Sequence, residues 1–149
     1  TIFDHYLMLN SDYYLENNKN NIPTGKLINV EGTYYDFRKF ERIGDFIQKK
    51  GSGFDENFII RSKSKLVARL LSKKNKIELS LYSNQPGVQF YTGQHLKYHS
   101  KNKIIKKYQG LCLETQFYPN SPNNKKFPST LITPNNTYNH NMRFVIKEF

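Results

Sequence analysis

Glu114 lies in the run Leu111-Cys112-Leu113-Glu114-Thr115-Gln116, where an extended chain turns the leucines to one face and Cys112, Glu114 and Gln116 to the other. If the leucines pack inward, the second face carries a carboxylate beside a carboxamide. On such a face a carboxylate drawn partly out of bulk water has a raised pKa, which suits proton transfer near neutral pH. The same alternation also describes a solvated acid on an outward strand face. Pattern alone leaves both readings open.

Other chemistries have less to stand on. The chain has no Gly-rich phosphate loop and no Gly-x-Ser-x-Gly elbow. His95 and His99 are four apart in loop-like sequence, and His5 and His140 are distant from them, so no metal site is expected. The single cysteine, Cys112, cannot form an internal disulfide, which fits a reducing, cytoplasmic setting. Between two leucines it reads as a small buried hydrophobe. Asp12, Asp36 and Asp45 adjoin loop-like sequence and read as turn or surface carboxylates.

The net charge of +11 raises the question of nucleic acid. The lysines, however, are scattered through Lys63-Ser64-Lys65, Lys73-Lys74-Asn75-Lys76, Lys101-Asn102-Lys103 and Lys106-Lys107, each beside turn residues. Solvated loops are the simpler reading, and no nucleic-acid partner is expected. No run of 18 apolar residues occurs, so no membrane partner is expected either.

The elements that must position these residues are strands. The 11 Tyr and 11 Phe suit half-buried sheet surfaces. Ile77-Glu78-Leu79-Ser80-Leu81-Tyr82 alternates with period two, and Leu66 to Leu71 pairs with it through the polar segment Ser72 to Lys76. Further strands are predicted at Tyr6 to Leu9, Phe58 to Arg61, Val88 to Tyr91, Leu111 to Gln116 and Met142 to Ile146. Turns are predicted at Asn21 to Gly25, Gln85 to Gly87 and Thr133 to Asn136. Phe40, Ile43 and Ile47 have helical spacing despite Gly44, and Tyr118 to Pro128 reads as an extended connection. The expectation is one all-β unit.

Several segments carry a family resemblance. Asp4-His5-Tyr6-Leu7-Met8-Leu9-Asn10-Ser11-Asp12-Tyr13-Tyr14, Ile22-Pro23-Thr24-Gly25-Lys26, Val30-Glu31-Gly32-Thr33-Tyr34-Tyr35-Asp36-Phe37-Arg38 and Gly53-Phe54-Asp55-Glu56-Asn57-Phe58 come first. Pro86-Gly87-Val88-Gln89-Phe90-Tyr91-Thr92-Gly93, Gly110 to Gln116 and Phe127-Pro128-Ser129 follow in order. Together they resemble the aldose 1-epimerase (galactose mutarotase) family, over nearly the whole chain. The resemblance implies a large antiparallel β-sandwich, of which residues 1–149 would be the C-terminal half of a single domain, with the N-terminal half absent.

It further implies an isomerase that interconverts the α and β anomers of galactose, glucose or similar aldoses, needs no cofactor, and binds a monosaccharide in an open cleft. The family's catalytic base falls on Glu114, its sugar-binding aspartate on Asp55 and a sugar-binding glutamine on Gln89. Two departures accompany it. Glu56 stands where the family commonly has histidine, and the family's general-acid histidine lies upstream of Thr1; His5 belongs to the strand that follows it. Two other classes stay open: a catalytically inactive carbohydrate-binding or structural subunit on the same scaffold, and a basic nucleic-acid module resting on charge alone.

Overall fold

In a computed structural model, which describes residues 1–61, 65–100 and 103–149, the chain forms two five-stranded antiparallel sheets and a small two-stranded ribbon. The strands are β1 (His5–Leu9), β2 (Ser11–Asn17), β3 (Pro23–Asn29), β4 (Glu41–Arg42), β5 (Asp55–Ile60) and β6 (Leu66–Ser72). After them come β7 (Ile77–Ser83), β8 (Gly87–Tyr91), β9 (Tyr98–Ser100), β10 (Lys103–Ile105), β11 (Cys112–Gln116) and β12 (Met142–Glu148). One sheet runs β12-β7-β6-β1-β4, the other β11-β8-β5-β2-β3, and β9 pairs with β10. The lysine clusters at 62–64 and 101–102 fall outside the described residues.

Period-two alternation explains why the sheets stack. Leu7, Leu9, Val67, Ala68 and Leu81 from the first sheet meet Phe58, Ile60, Val88 and Phe90 from the second in one buried cluster. Burial of such side chains contributes roughly 1.5–3 kcal/mol each. Phe37, Phe54, Phe58 and Phe90 supply its aromatic centre, with Phe54 stacked on Phe90 at 5.4 Å and Phe37 edge-on to both at 5.3 and 5.6 Å. The expected β6–β7 hairpin forms, with Leu70 opposite Leu79 and Leu71 opposite Glu78. On its outer face Arg69 Nε donates to Glu78 Oε1 at 2.6 Å.

The helix predicted from Phe40 begins later, as α1 (Ile43–Lys50), and buries Ile43, Phe46 and Ile47. Gly44 is the price of close packing there: a Cβ would sit 2.8 Å from the Phe3 carbonyl oxygen. Asp12, Asp36 and Asp45 are surface carboxylates, each paired with an arginine: Arg61, Arg38 and Arg42 respectively.

Three expectations are corrected, the first being that Tyr118 to Pro128 runs extended: it folds through successive turns and a 3-10 helix at Ser121–Asn123, closed by backbone bonds such as Phe127 N–H to the Asn124 carbonyl. Residues 23–25 are not a turn but the start of edge strand β3, where proline's missing N–H is tolerated. The sequence around His99 is not loop, because Ile104 pairs with His99 in the ribbon.

Edge strand β12 leaves apolar side chains open to solvent. Phe144 pairs with Leu81 and Ile146 with Leu79, which puts them on the core-facing side, yet they are 48% and 67% exposed. An apolar strip therefore lies open along β12.

Candidate active site

The outer face of the second sheet gathers the predicted residues. On β11, Leu111 and Leu113 pack against the core and Thr115 is buried, so Cys112, Glu114 and Gln116 turn outward. Glu114 pairs with Gln89 of β8, and Gln89 pairs with Asn57 of β5. One step along, Cys112 pairs with Tyr91 and Tyr91 with Asp55. Val88 and Phe90, buried in the core, fix the outward direction of Gln89, and Phe54 and Phe58 do the same for Asp55.

Three strands thus bring Glu114, Gln89 and Asp55 to one surface. The tie between two of them is direct, with Gln89 Nε2 donating to Asp55 Oδ1 at 2.9 Å. Asp55 also lines a cleft of about 590 Å³ with Tyr35, Lys50, Glu56, Gln94 and His95. A separate cavity of about 400 Å³, between Asn84–Pro86 and Leu131–Asn139, contains none of the three.

Glu114 itself is exposed, not partly withdrawn from water. Leucine packing fixed its face correctly, but a strand pattern says nothing about what covers that face. Cys112 also departs from expectation: it is half-buried on the outer face, not inside the core. Burial pushes its thiol up, and the hydrogen-bonded Glu114 carboxylate and nearby Asp55 push it further the same way.

Glu56 turns toward the core edge, where the cleft that Asp55 lines also reaches it. Lys50 Nζ lies 2.9 Å from Glu56 Oε1, and the two side chains are 12% and 14% exposed. Tyr35 Oη donates to the same oxygen at 3.2 Å, and the Asp55 backbone N–H donates to Glu56 Oε2 at 2.7 Å. Burial, then the Glu56 charge, pushes the Tyr35 hydroxyl well up. The glutamate in place of the family's histidine therefore anchors the start of β5, with its charge balanced by Lys50.

The histidines are dispersed. His5 lies on β1 in the other sheet, opposite Ser72. His140 Nε2 is 2.8 Å from Thr115 Oγ1, on the core-facing side of β11 and so opposite to Glu114. His95 shares the Asp55 cleft, and its backbone N–H donates to Tyr91 Oη at 3.1 Å. Among the described residues no three His, Cys, Asp or Glu side chains converge as metal ligands. Sequence reasoning assigned Asn57 no role; it stands last in the polar run Asp55-Glu56-Asn57 ahead of the apolar Phe58-Ile59-Ile60, and nothing in that run sets it apart from its neighbours.

The chain is thus an antiparallel β-sandwich that displays acids and amides on one sheet face. The aldose 1-epimerase family profile matches residues 1–145, and the chain belongs to that family. It is 40% identical to galactose mutarotase of Mus musculus in an alignment that covers 96% of this chain and 44% of the mouse protein. Among solved structures it is similar to an aldose epimerase homologue from C. elegans, with TM-score 0.91 and 25% identity over 99% of this chain and 47% of the other. A galactose 1-epimerase from Lactobacillus acidophilus NCFM gives TM-score 0.75 and 29% identity, covering 99% of this chain and 45% of that one. The chain spans less than half the length of these relatives.

Proposed function

We propose that this chain carries the base and part of the sugar-binding surface of a mutarotase acting on galactose, glucose or similar aldoses. The observation that supports this best is the Glu114-Gln89-Asp55 surface, assembled from three strands and tied by the Gln89–Asp55 hydrogen bond. Glu114 takes the proton from the anomeric hydroxyl. The C1–O5 bond then breaks as an acid protonates O5, giving the open-chain aldehyde. C1 turns about its bond to C2, and reclosure on the other face returns both protons and yields the opposite anomer. Asp55 and Gln89 hold the sugar hydroxyls, and the reaction consumes no cofactor.

The acid belongs to a further stretch of polypeptide, the N-terminal half of the same sandwich domain. The apolar strip of Phe144 and Ile146 and the exposure of Glu114 support this, because both become buried when such a segment packs across β12 and over the outer face. The single free cysteine, Cys112, supports a cytoplasmic setting as part of this proposal, and among the described residues no helix is long and apolar enough to cross a membrane.

Galactose titration by calorimetry at two salt concentrations tests this reading. Neutral hydroxyls bind by hydrogen bonds, so the affinity should hold between 50 and 200 mM salt. Retention of RNA or DNA, with an affinity that falls steeply over about the same range as counterion release demands, would replace it with the charge-based alternative.

A further inference from the structure

Asn57 sits at the end of the row formed by Glu114 and Gln89, one cross-strand step from Gln89. Alternation along β5 places it on the outer face with Asp55, while Glu56 and Phe58 turn inward. It is nevertheless only 2% exposed, and neither its Nδ2 nor its Oδ1 has a hydrogen-bond partner. A polar group buried without a partner loses its bonds to water and gains none in return, so a strand that keeps one needs a reason.

The neighbour supplies it. Gln89 Oε1 is likewise buried and lacks a donor, while Gln89 Nε2 is already committed to Asp55. Directly opposite residues on one sheet face have Cβ atoms about 4.5–5.5 Å apart, within reach of an amide-to-amide hydrogen bond after a small rotation or through one water. Gly87 keeps the space open. A Cβ there would come 2.6 Å from Asn57 Oδ1 and 3.1 Å from the Tyr118 ring, so no larger residue fits beside this amide without moving it.

We propose that Asn57 is a positioning residue whose Nδ2, unpaired as the side chains stand, donates to Gln89 Oε1 after a small side-chain rotation, so that the Gln89 amide is held at its oxygen by Asn57 and at its nitrogen by Asp55. The inference deepens the sugar-binding role proposed for Gln89 and rests on it. An amide free to turn over offers a ligand either a donor or an acceptor. One clamped at both ends, with its oxygen buried, offers a ligand only its second N–H, which selects a sugar oxygen as its partner and removes an entropic cost of binding.

Two readouts test it. The first needs no activity: in ¹⁵N spectra of the chain, the Gln89 side-chain amide, assigned by its loss in Gln89→Leu, should shift and exchange faster with water in Asn57→Leu. Asn57→Ser, which keeps a donor, should preserve the wild-type signal. Asn57→Asp has the same shape without the donor and should reproduce the leucine result if Asn57→Leu does not fold. An unchanged Gln89 amide in both Asn57→Leu and Asn57→Asp overturns the proposal, whatever the protein's activity. The second is a cycle in mutarotation with the acid-bearing segment present. Asn57→Leu should raise KM for galactose about tenfold, with kcat moving less, but add less than about twofold in a Gln89→Leu background. Equal losses in both backgrounds would show that Asn57 acts independently of Gln89 and would overturn it. A wild-type protein that binds no sugar would refute the proposed function, and the amide signals would still decide the role of Asn57.

Discussion

Gln89 and Asp55, 34 residues apart in sequence, are joined by a 2.9 Å hydrogen bond on the outer face of one sheet. The bond holds because Phe90 and Phe54 anchor their strands in the same aromatic cluster, stacked at 5.4 Å. A hydrogen bond to an ionised group contributes about 1.5–3 kcal/mol. Asp55→Asn removes the charge and sets two amides against each other. Galactose affinity measured by calorimetry should fall about ten- to a hundredfold, with the fold intact by circular dichroism. Affinity within twofold of wild type would remove Asp55 from the binding surface.

Cys112 reports on Glu114 without any substrate. Its thiol is pushed up first by burial and then by the Glu114 and Asp55 charges, so less thiolate is present near pH 8 than for a free cysteine. The sign follows directly: a raised thiol value favours the protonated form, and alkylation should gain speed only at higher pH than for a free cysteine. Glu114→Gln removes one of the charges, so iodoacetamide should react faster at the same pH. Alkylation rates across pH 7–10 measure this, and identical profiles would mean that the two groups do not interact.

The Lys50–Glu56 pair is nearly buried and ties the end of α1 to the start of β5. Removing one partner of such a pair strands the other charge and typically costs about 3–5 kcal/mol. Lys50→Met should therefore lower the urea midpoint strongly, while Lys50→Met with Glu56→Gln should recover part of the loss. A single variant as stable as wild type would show that the pair contributes little.

How much of this was legible in the sequence depended on local pattern. Leu79 and Leu81 alternate cleanly with Glu78 and Ser80, so β7 and its hairpin partner were readable, and Leu111 and Leu113 gave the right face for Glu114. β2 and β3 were not. β2 carries irregular register at Ser11/Tyr13 and Leu15/Asn17, which breaks its alternation, and Pro23 with Gly25 imitates a turn on an edge strand. The site followed the same division. Which face Glu114, Asp55 and Gln89 take is a property of each strand, but their proximity depends on strand order, and for that only the family resemblance spoke. Exposure of Glu114 and the half-burial of Cys112 depend on what lies over the sheet, which no single strand encodes. Asn57 was missed because its burial comes from neighbours such as Gly87 and Tyr118, 30 or more residues away in sequence.

The central claim is that Glu114 is the base. With the acid-bearing segment present, Glu114→Gln should keep the fold and galactose binding, since the amide is nearly isosteric and still hydrogen-bonds, yet it cannot take up the anomeric proton. Polarimetry of freshly dissolved α-D-galactose, with the spontaneous rate subtracted, should show kcat reduced about 10²–10⁴-fold and KM moving far less. Mutarotation by the Glu114→Gln protein at the wild-type rate would contradict the account.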